Sequence, residues 1–276
     1  MTPERKAALK RAIKKRLVVY GGLAALLYGL YLYQPMRFDL IERKPEEPLP
    51  LIDPDSETLF SKGTRVLVVS AHPDDSEFYI GGTLHLLSKT ADIFQIVCTD
   101  GDKSYYGPFA DSASLRKVRR QESIDALNAW RGNEITFLGF PDGRLFPTDE
   151  LVGKIEAKIR EVKPDYILAF DGDFPPRISH RDHRNAGIAA ELAAKKVGIG
   201  KWLLRYSTVA DNYVVDISDV WDAKAKLLAL HKSQFAKKQE GIDNMVIGLA
   251  EMDGERAGVQ LGEGFRATRI SALDRD

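Results

Sequence analysis

Cysteine is almost absent from this chain of 276 residues, since Cys98 is the only one. A single cysteine excludes an internal disulfide framework and any zinc site built from several cysteines. An excess of charge of one sign is also missing, because 40 lysines and arginines balance 40 aspartates and glutamates. Without net charge the chain has no overall electrostatic attraction to a polyanion, so no nucleic acid is expected as a partner.

Histidine is scarce as well, with five residues in the whole chain. Three of the five fall in two short polar clusters, which chance placement would rarely give. The first cluster, residues 71–77, reads Ala-His-Pro-Asp-Asp-Ser-Glu and follows the apolar run of residues 66–69. His72 and Asp75 have the side-chain types that bind Zn²⁺. Asp74 lies between them and is placed to act as a base toward an attacking water.

The second cluster, His180-Arg181-Asp182-His183, supplies the residues that a metal site at the first cluster still lacks. A zinc hydrolase keeps three protein ligands and one open position. We assign His183 to the metal, and we expect Asp182 to orient an imidazole from behind. His180 is then left to face the substrate carbonyl, where its protonated ring would stabilise an oxyanion.

Together the two clusters predict metal-assisted hydrolysis of an amide that releases an amine. Zn²⁺ is the expected cofactor, and another divalent metal is the alternative. Each cluster also has an interpretation that involves no metal. The first would then be a capped polar turn, and the second would be a solvated helix start.

The N-terminal region predicts a membrane anchor. Residues 1–16 are basic, with seven lysines and arginines against one glutamate, and residues 17–33 carry no charge. At about 1.5 Å per residue, a helix over 17–33 would cross most of the hydrocarbon core of a bilayer. We therefore expect a single-pass signal anchor with the N-terminus in the cytoplasm and the catalytic domain on the outer, periplasmic or extracytoplasmic side. The alternatives are a cleaved signal peptide, although a small-x-small cleavage pattern is missing, and a buried core helix.

Residues 34–63 are rich in proline and acidic residues, a composition that predicts a solvated linker. We expect residues 64–276 to form the catalytic domain. Strands and helices alternate in this domain. Strands are expected over 66–70, 93–99, 135–140, 166–170 and 209–217, and helices over 80–88, 115–130, 150–162, 182–197 and 219–238, the last capped by Ser218.

This alternation predicts an α/β fold: a doubly wound, mostly parallel Rossmann-like sheet with helices on both faces, preceded by the transmembrane helix. Polar, acidic turns follow four of the strands, so they converge at the carboxyl edge of the sheet. Nucleotide binding is the weaker interpretation of such a fold here, because the first turn has no G-x-G-x-x-G pattern.

These residues resemble the PIG-L/LmbE family of zinc-dependent N-acetylglucosamine deacetylases. The family motif A-H-P-D-D-x-E followed by G-G-T matches residues 71–83, and its H-x-D-H motif matches residues 180–183. Weaker matches continue through Thr99-Asp100-Gly101, Arg119 with Glu122, Asp142-Gly143, Lys226 with Ser233-Gln234, and Gly262-Glu263-Gly264.

The resemblance implies His72, Asp75 and His183 as metal ligands, Asp74 as the base and His180 as the oxyanion partner. Three residues are candidates for binding sugar hydroxyls at the rim of the site, and each is as readily a turn or salt-bridge residue: Arg119, Asp142 and Asp171. The expected substrate is an N-acetylated amino sugar or its glycoconjugate. Two alternatives remain, an anchored glycan-binding protein with an inactive site and an amidase for a different acylated amine.

Overall fold

The computed structural model describes residues 38–40, 43–104, 112–176, 178–236 and 239–273. The strands in this part of the chain are β1 (Phe38–Leu40), β2 (Arg65–Ser70), β3 (Asp92–Thr99), β4 (Glu134–Phe140), β5 (Tyr166–Phe170), β6 (Ile178–His180), β7 (Trp202–Tyr206), β8 (Tyr213–Asp216) and β9 (Gly262–Arg269). The α-helices are α1 (Ser56–Leu59), α2 (Asp75–Leu87), α3 (Ser112–Ala129), α4 (Asp149–Val162), α5 (Arg181–Val197), α6 (Trp221–Leu228), α7 (Lys232–Phe235) and α8 (Gln239–Ala257).

A seven-stranded mixed sheet in the order β4-β3-β2-β5-β7-β9-β8 forms the centre of the fold. The first five strands of that order run parallel, and β9 pairs antiparallel with both β7 and β8. β2 and β5 are covered on both faces, and this is why their apolar residues form continuous runs. The α/β class and the largely parallel sheet that the alternation predicts are confirmed.

Helices cover both faces of the sheet. α2 packs against β2 and β9 on one face, while α5 packs against β2, β5 and β7 on the other, beside α4, which also contacts β2. The chain steps from β2 outward to β3 and β4 and then returns to β5 on the opposite side of β2. Such a reversal opens a crevice at the carboxyl ends of the two central strands, where ligands bind in folds of this kind.

Helix α2 begins five residues earlier than the sequence predicts, at Asp75 instead of residue 80. It contains a kink, because Ile80 has non-helical torsion angles (φ −132°, ψ 22°). The buried carboxylate of Glu263 accepts hydrogen bonds from the amides of Gly82 (2.9 Å) and Thr83 (2.7 Å), just after the kink. A Cβ on Gly82 would lie 2.6 Å from Ile217 Cγ2, so the close approach requires glycine.

The C-terminal third differs most from the prediction. The strand expected over 209–217 shortens to β8, and β7 was missed because its buried Arg205, which pairs with Glu191 at 2.8 Å, interrupts the apolar run. The helix expected over 219–238 breaks at His231, and Ser218 belongs to a short 3₁₀ turn, so its predicted role as helix cap is wrong. His231 leaves the helical path because its buried imidazole pairs with Glu77 at 3.1 Å.

The predicted basic segment (1–16) and signal anchor (17–33) lie outside the described residues. No helix within the described ranges combines the length and the uncharged apolar stretch that a membrane span requires. The described part of the predicted linker is held against the domain: Leu59 of α1 is fully buried, and the Tyr166 hydroxyl donates to the carbonyl of Pro54 at 3.2 Å. Upstream of it, β1 pairs antiparallel with β6, with Phe38 opposite His180.

Candidate active site

The two polar clusters meet in the crevice beside β2. His72 follows β2 by two residues, Asp75 is the first residue of α2, and His183 is the third residue of α5. Strand β6 ends at His180 and leads directly into α5. Residues more than a hundred positions apart in the chain are therefore brought together by the crossover from β2 to β5.

Three atoms in this crevice have the spacing of a metal-binding set. His72 Nδ1 lies 3.1 Å from His183 Nε2 and 3.5 Å from an oxygen of Asp75, and His183 Nε2 lies 3.1 Å from the other oxygen of Asp75. Ligands about 2.0–2.1 Å from a tetrahedral Zn²⁺ are about 3.3 Å apart, so the three side chains fit that ion. The sequence-predicted ligands thus converge.

The electrostatics of the crevice suit a cation. Burial by itself would lower the pKa of His72, but the carboxylates of Asp75, Asp142 and Asp182 raise this pKa well above its ordinary value. Burial by itself would raise the pKa of Asp75, yet the neighbouring His183 and His72 hold it well below its ordinary value. The pocket therefore concentrates negative charge around two imidazoles, where a divalent ion would replace protons.

Two carboxylates lie behind His72, on the side away from Asp75 and His183. Nε2 of His72 is 3.4 Å from Asp142 Oδ1 and 3.6 Å from Asp182 Oδ2. An imidazole that binds metal through Nδ1 carries its proton on Nε2, and a carboxylate there fixes the tautomer and ring orientation. Asp182, expected in this role from the sequence, is shared between His72 and the amides of Gly143 (2.7 Å) and Leu145 (3.1 Å).

Asp142 also lies behind His72, as Asp182 does, and the sequence did not predict this contact. Burial opposes its ionisation, but the hydrogen bond to His72 and the amide of Lys103 hold its pKa well below the ordinary value. The observed contact of Asp142 orients His72, a proposed metal ligand. Contact of Asp142 with sugar hydroxyls stays a prediction.

His180 is held by the start of the helix that it precedes. The backbone amide of Asp182 donates to His180 Nδ1 at 3.1 Å, so the neutral ring carries its proton on Nε2. Burial, His72 and His183 lower the pKa of His180 to about 3. The protonated ring that the motif predicts is wrong in this detail, because at neutral pH His180 is an uncharged imidazole.

Asp74, the residue before α2, is paired with Arg119 of α3. The Nη2 atom of Arg119 lies 2.5 Å from Asp74 Oδ1, and its Nη1 donates to the carbonyl of Gly101 at 2.6 Å. A Cβ on Gly101 would overlap this guanidinium, so a glycine with φ +60° is needed there. Arg119, expected from the sequence to contact sugar hydroxyls, is buried and fixes the side chain of the proposed base; a direct contact with sugar stays a prediction.

Asp171, the third candidate for sugar binding, is almost fully buried and has several partners in the protein. Arg266 forms two hydrogen bonds with its carboxylate (2.6 and 2.7 Å), and the Thr208 hydroxyl donates a third at 2.7 Å. Burial opposes ionisation, but the guanidinium of Arg266 lowers the pKa of Asp171. These contacts indicate that Asp171 holds the rim of the crevice together, and binding of sugar stays a prediction.

Several supporting residues were missed or misassigned. Phe170 stacks on the ring of His183 (centroids 4.2 Å apart, planes at 10°), and its place at the end of β5 is the signal that could have indicated this. Lys226, singled out with the family resemblance, is exposed, whereas Lys224 is buried and pairs with Glu263 at 2.6 Å. Glu77 accepts from Trp130 Nε1 at 2.8 Å and contacts His231, so its carboxylate is engaged in structural contacts.

Comparison with known proteins places this site in a family. The model of the PIG-L family, described as GlcNAc-PI de-N-acetylase, matches residues 67–194, which contain both polar clusters. Diacetylchitobiose deacetylase of Thermococcus kodakarensis is 28% identical over 225 residues, covering 75% of this chain and 84% of that protein. The "Probable N-acetyl-alpha-D-glucosaminyl L-malate deacetylase 2" of Bacillus cereus is 31% identical over 186 residues, covering 62% and 83%.

A solved structure gives the same result. N,N'-diacetylchitobiose deacetylase of Pyrococcus horikoshii, crystallised with an inhibitor, superposes with a TM-score of 0.73 at 27% identity. The match covers 79% of this chain and 88% of that protein. The similarity therefore extends over most of the described domain and is not restricted to the metal motifs.

Proposed function

Since this chain belongs to the PIG-L family of metal-dependent de-N-acetylases, we propose that it is a zinc-dependent hydrolase that removes an N-acetyl or related acyl group from an amino sugar or its glycoconjugate. The observation that carries the proposal is the convergence of His72, Asp75 and His183 within 3.5 Å, with Asp74 next to them in the chain. Relatives are named as deacetylases of GlcNAc-containing compounds, which favours an enzyme over a glycan-binding protein with an inactive site.

The ion, when bound by His72, Asp75 and His183, would supply Lewis acidity to the reaction. Asp74 accepts a proton from the water that attacks the acetamide carbonyl. The same carboxyl group then passes the proton to the departing nitrogen, so the C–N bond breaks to give acetate and a free amine. Arg119 holds Asp74 in one orientation throughout, because its guanidinium is anchored to the carbonyl of Gly101.

His180 has a separate task in this proposal. As the carbonyl carbon becomes tetrahedral, negative charge develops on its oxygen, and an N–H donor aimed at that oxygen stabilises it. The neutral tautomer of His180 carries its proton on Nε2, because Nδ1 accepts from the amide of Asp182, and we assign this N–H to the oxyanion in the transition state. A donor fixed before the reaction starts needs no reorganisation during it.

The experiment that tests the proposed function is a substrate panel. The zinc-loaded full chain is incubated with N-acetylglucosamine, N,N'-diacetylchitobiose, GlcNAc-malate, GlcNAc-inositol and unrelated N-acyl amines, and both acetate and free amine are quantified. Equal amounts of acetate and amine from at least one GlcNAc compound support the proposal. Turnover confined to the unrelated amines, or binding of the glycans without turnover, contradicts it.

Replacing His180 by alanine is expected to lower kcat about 10²–10³-fold while the metal content stays at the wild-type level, since one oxyanion donor is lost. The measurements are kcat on the substrate identified above and zinc by elemental analysis. His85→Ala is the matched control, because His85 lies in the last turn of α2, away from the crevice. The nitrogens of His72, His180 and His183 are close enough to share an ion, so loss of metal from His180→Ala would show that His180 is a ligand and would refute this role.

The proposed placement of the enzyme rests on its N-terminal sequence. Seven basic residues precede the apolar run of 17–33, so we propose one span with the catalytic domain outside the cytoplasm. Protease added to intact spheroplasts is then expected to degrade the domain after residue 64. Protection until the membrane is broken, with an outer-surface marker degraded in the same sample, would reverse the orientation.

A further inference from the structure

Six large apolar side chains are exposed on three segments of the described domain: the linker, the loop before β8, and α8. Their exposed fractions lie between 37% and 69%. We call this surface the linker patch, and its members are Leu51, Ile52, Val209, Met245, Leu249 and Met252. Single exposed apolar residues are ordinary on proteins, whereas a contiguous group marks an interaction surface.

The members on α8 lie on one side of the helix. Met245, Leu249 and Met252 are spaced i, i+4 and i+7, so at 3.6 residues per turn they form a single stripe. Arg256 continues the stripe one turn later, and its side chain contacts the carbonyl of Leu49 and the carboxylate of Asp211. The stripe on α8 therefore points along the surface toward the linker.

The linker and the loop before β8 complete the patch. The amide of Ile52 donates to the carbonyl of Asn212 at 2.8 Å, beside the Asp211 that Arg256 binds. Val209, two residues before Asp211, donates its amide to the carbonyl of Phe174 at 2.9 Å. Phe174 follows β5 at the rim of the crevice, so the patch extends from that rim along α8.

The position of the patch in the chain indicates what covers it. The apolar run ends at residue 33 and the described chain resumes at β1, residue 38, which is five residue steps or at most about 17 Å of extended chain. Between β1 and Ile52, the chain passes Arg43, which pairs with Asp173 at 3.9 Å, and Leu49, which contacts Arg256. The segment that follows the proposed membrane span thus runs from β1 beside the crevice to residues 49–52 at the patch.

We propose that the linker patch rests on the lipid surface of the membrane and holds the domain in a fixed orientation there; this inference depends on the proposed N-terminal anchor. Methionine and leucine side chains adapt to disordered acyl chains, and a surface helix with one apolar side can lie in the interface. Exposed charges beside the patch have both signs, Arg43 and Lys44 against Glu46 and Glu47. The contact is therefore expected to depend on apolar side chains rather than on anionic lipid.

The test uses the full chain in phosphatidylcholine vesicles, with one fluorophore per molecule. Cys98 is the only cysteine and is fully buried, so an introduced cysteine is labelled alone. The dye is placed on Met252→Cys, and the matched control is Ala157→Cys, an exposed residue on α4, which packs against α5. Flotation of the vesicles reports the anchor, and quenching by spin-labelled lipid reports the docking of the patch.

Lipid quenching of the dye at position 252, at least severalfold stronger than at position 157 and unchanged by high salt, supports the proposal. In a second variant the dye sits on Leu51→Cys, and Met245, Leu249 and Met252 are all replaced by glutamine. Its lipid quenching is expected to fall to the level of the control, with turnover of a soluble N-acetyl sugar unchanged.

Three other outcomes overturn the docking. Flotation with equal, iodide-accessible dyes at both positions means that the anchor holds but the patch faces water. Shielding from iodide without lipid quenching means that the patch is covered by protein, either the apolar N-terminal run or, when energy transfer rises with protein density, a second copy. Failure to float refutes both the anchor and the docking, while the deacetylase assay remains an independent measurement.

Discussion

Asp74→Asn is expected to lower kcat by about 10²–10⁴-fold, the usual contribution of a positioned general base. The asparagine amide keeps an oxygen that can accept from Arg119 Nη2, so the side chain retains its anchor. It cannot take a proton from water, and the step that forms the nucleophile loses its acceptor. Metal content should stay at the wild-type level, because the proposed ligand atoms belong to His72, Asp75 and His183.

The control for Asp74→Asn is Asp219→Asn, which removes the same charge at an exposed position in the turn before α6. Steady-state kinetics, zinc analysis and thermal unfolding are measured on both variants. An Asp74→Asn enzyme with normal metal content and near-normal kcat would refute the proposed mechanism. A large loss of kcat accompanied by loss of metal would instead identify Asp74 as a ligand.

The sequence was sufficient for the central part of the fold because those elements have simple patterns. β2 and β5 are apolar runs bounded by polar turns, and α4 and α5 have capped, amphipathic sequences, so their bounds were predicted to within one residue. In the C-terminal third the prediction failed, because tertiary contacts there override the local sequence pattern. β9 contains Gly262, and a glycine weakens the sequence signal of a strand. The glycine is needed there because a Cβ would lie 3.0 Å from the backbone of Gly254 in α8.

The site, like the fold, was predicted from the sequence only in part. The residue types and spacing of the two clusters predicted which side chains would meet, because the turns after parallel strands converge at one edge of the sheet. The sequence could not indicate that Arg119 would pair with Asp74, or that Asp142 would lie behind His72. The first contact depends on how α3 packs beside the turn after β2, and the second on the path of the loop after β4. Nor could it give the pKa of His180, which depends on burial and on two neighbouring imidazoles.

His183→Ala is expected to lose zinc and, with it, turnover. Removal of a residue that merely orients a ligand costs about 10–100-fold in metal affinity, so loss of one of three direct ligands should exceed that range. Wild-type enzyme treated with a chelator should likewise become inactive and recover when zinc is added back. Added zinc should raise the Tm of the wild type, since it binds the folded state, and should leave the Tm of His183→Ala unchanged at the same concentration.

The alanine also removes the ring that stacks on Phe170, so stability and metal binding must be separated. His183→Gln keeps most of the side-chain volume against Phe170 but replaces the imidazole by a poor zinc ligand. Both variants should fold, as judged by circular dichroism, and both should be depleted of zinc, because the ligand nitrogen and not the packing holds the ion. Equal zinc in the wild type and in both folded variants would show that His183 does not bind the metal, and the proposed ligand set would have to be abandoned.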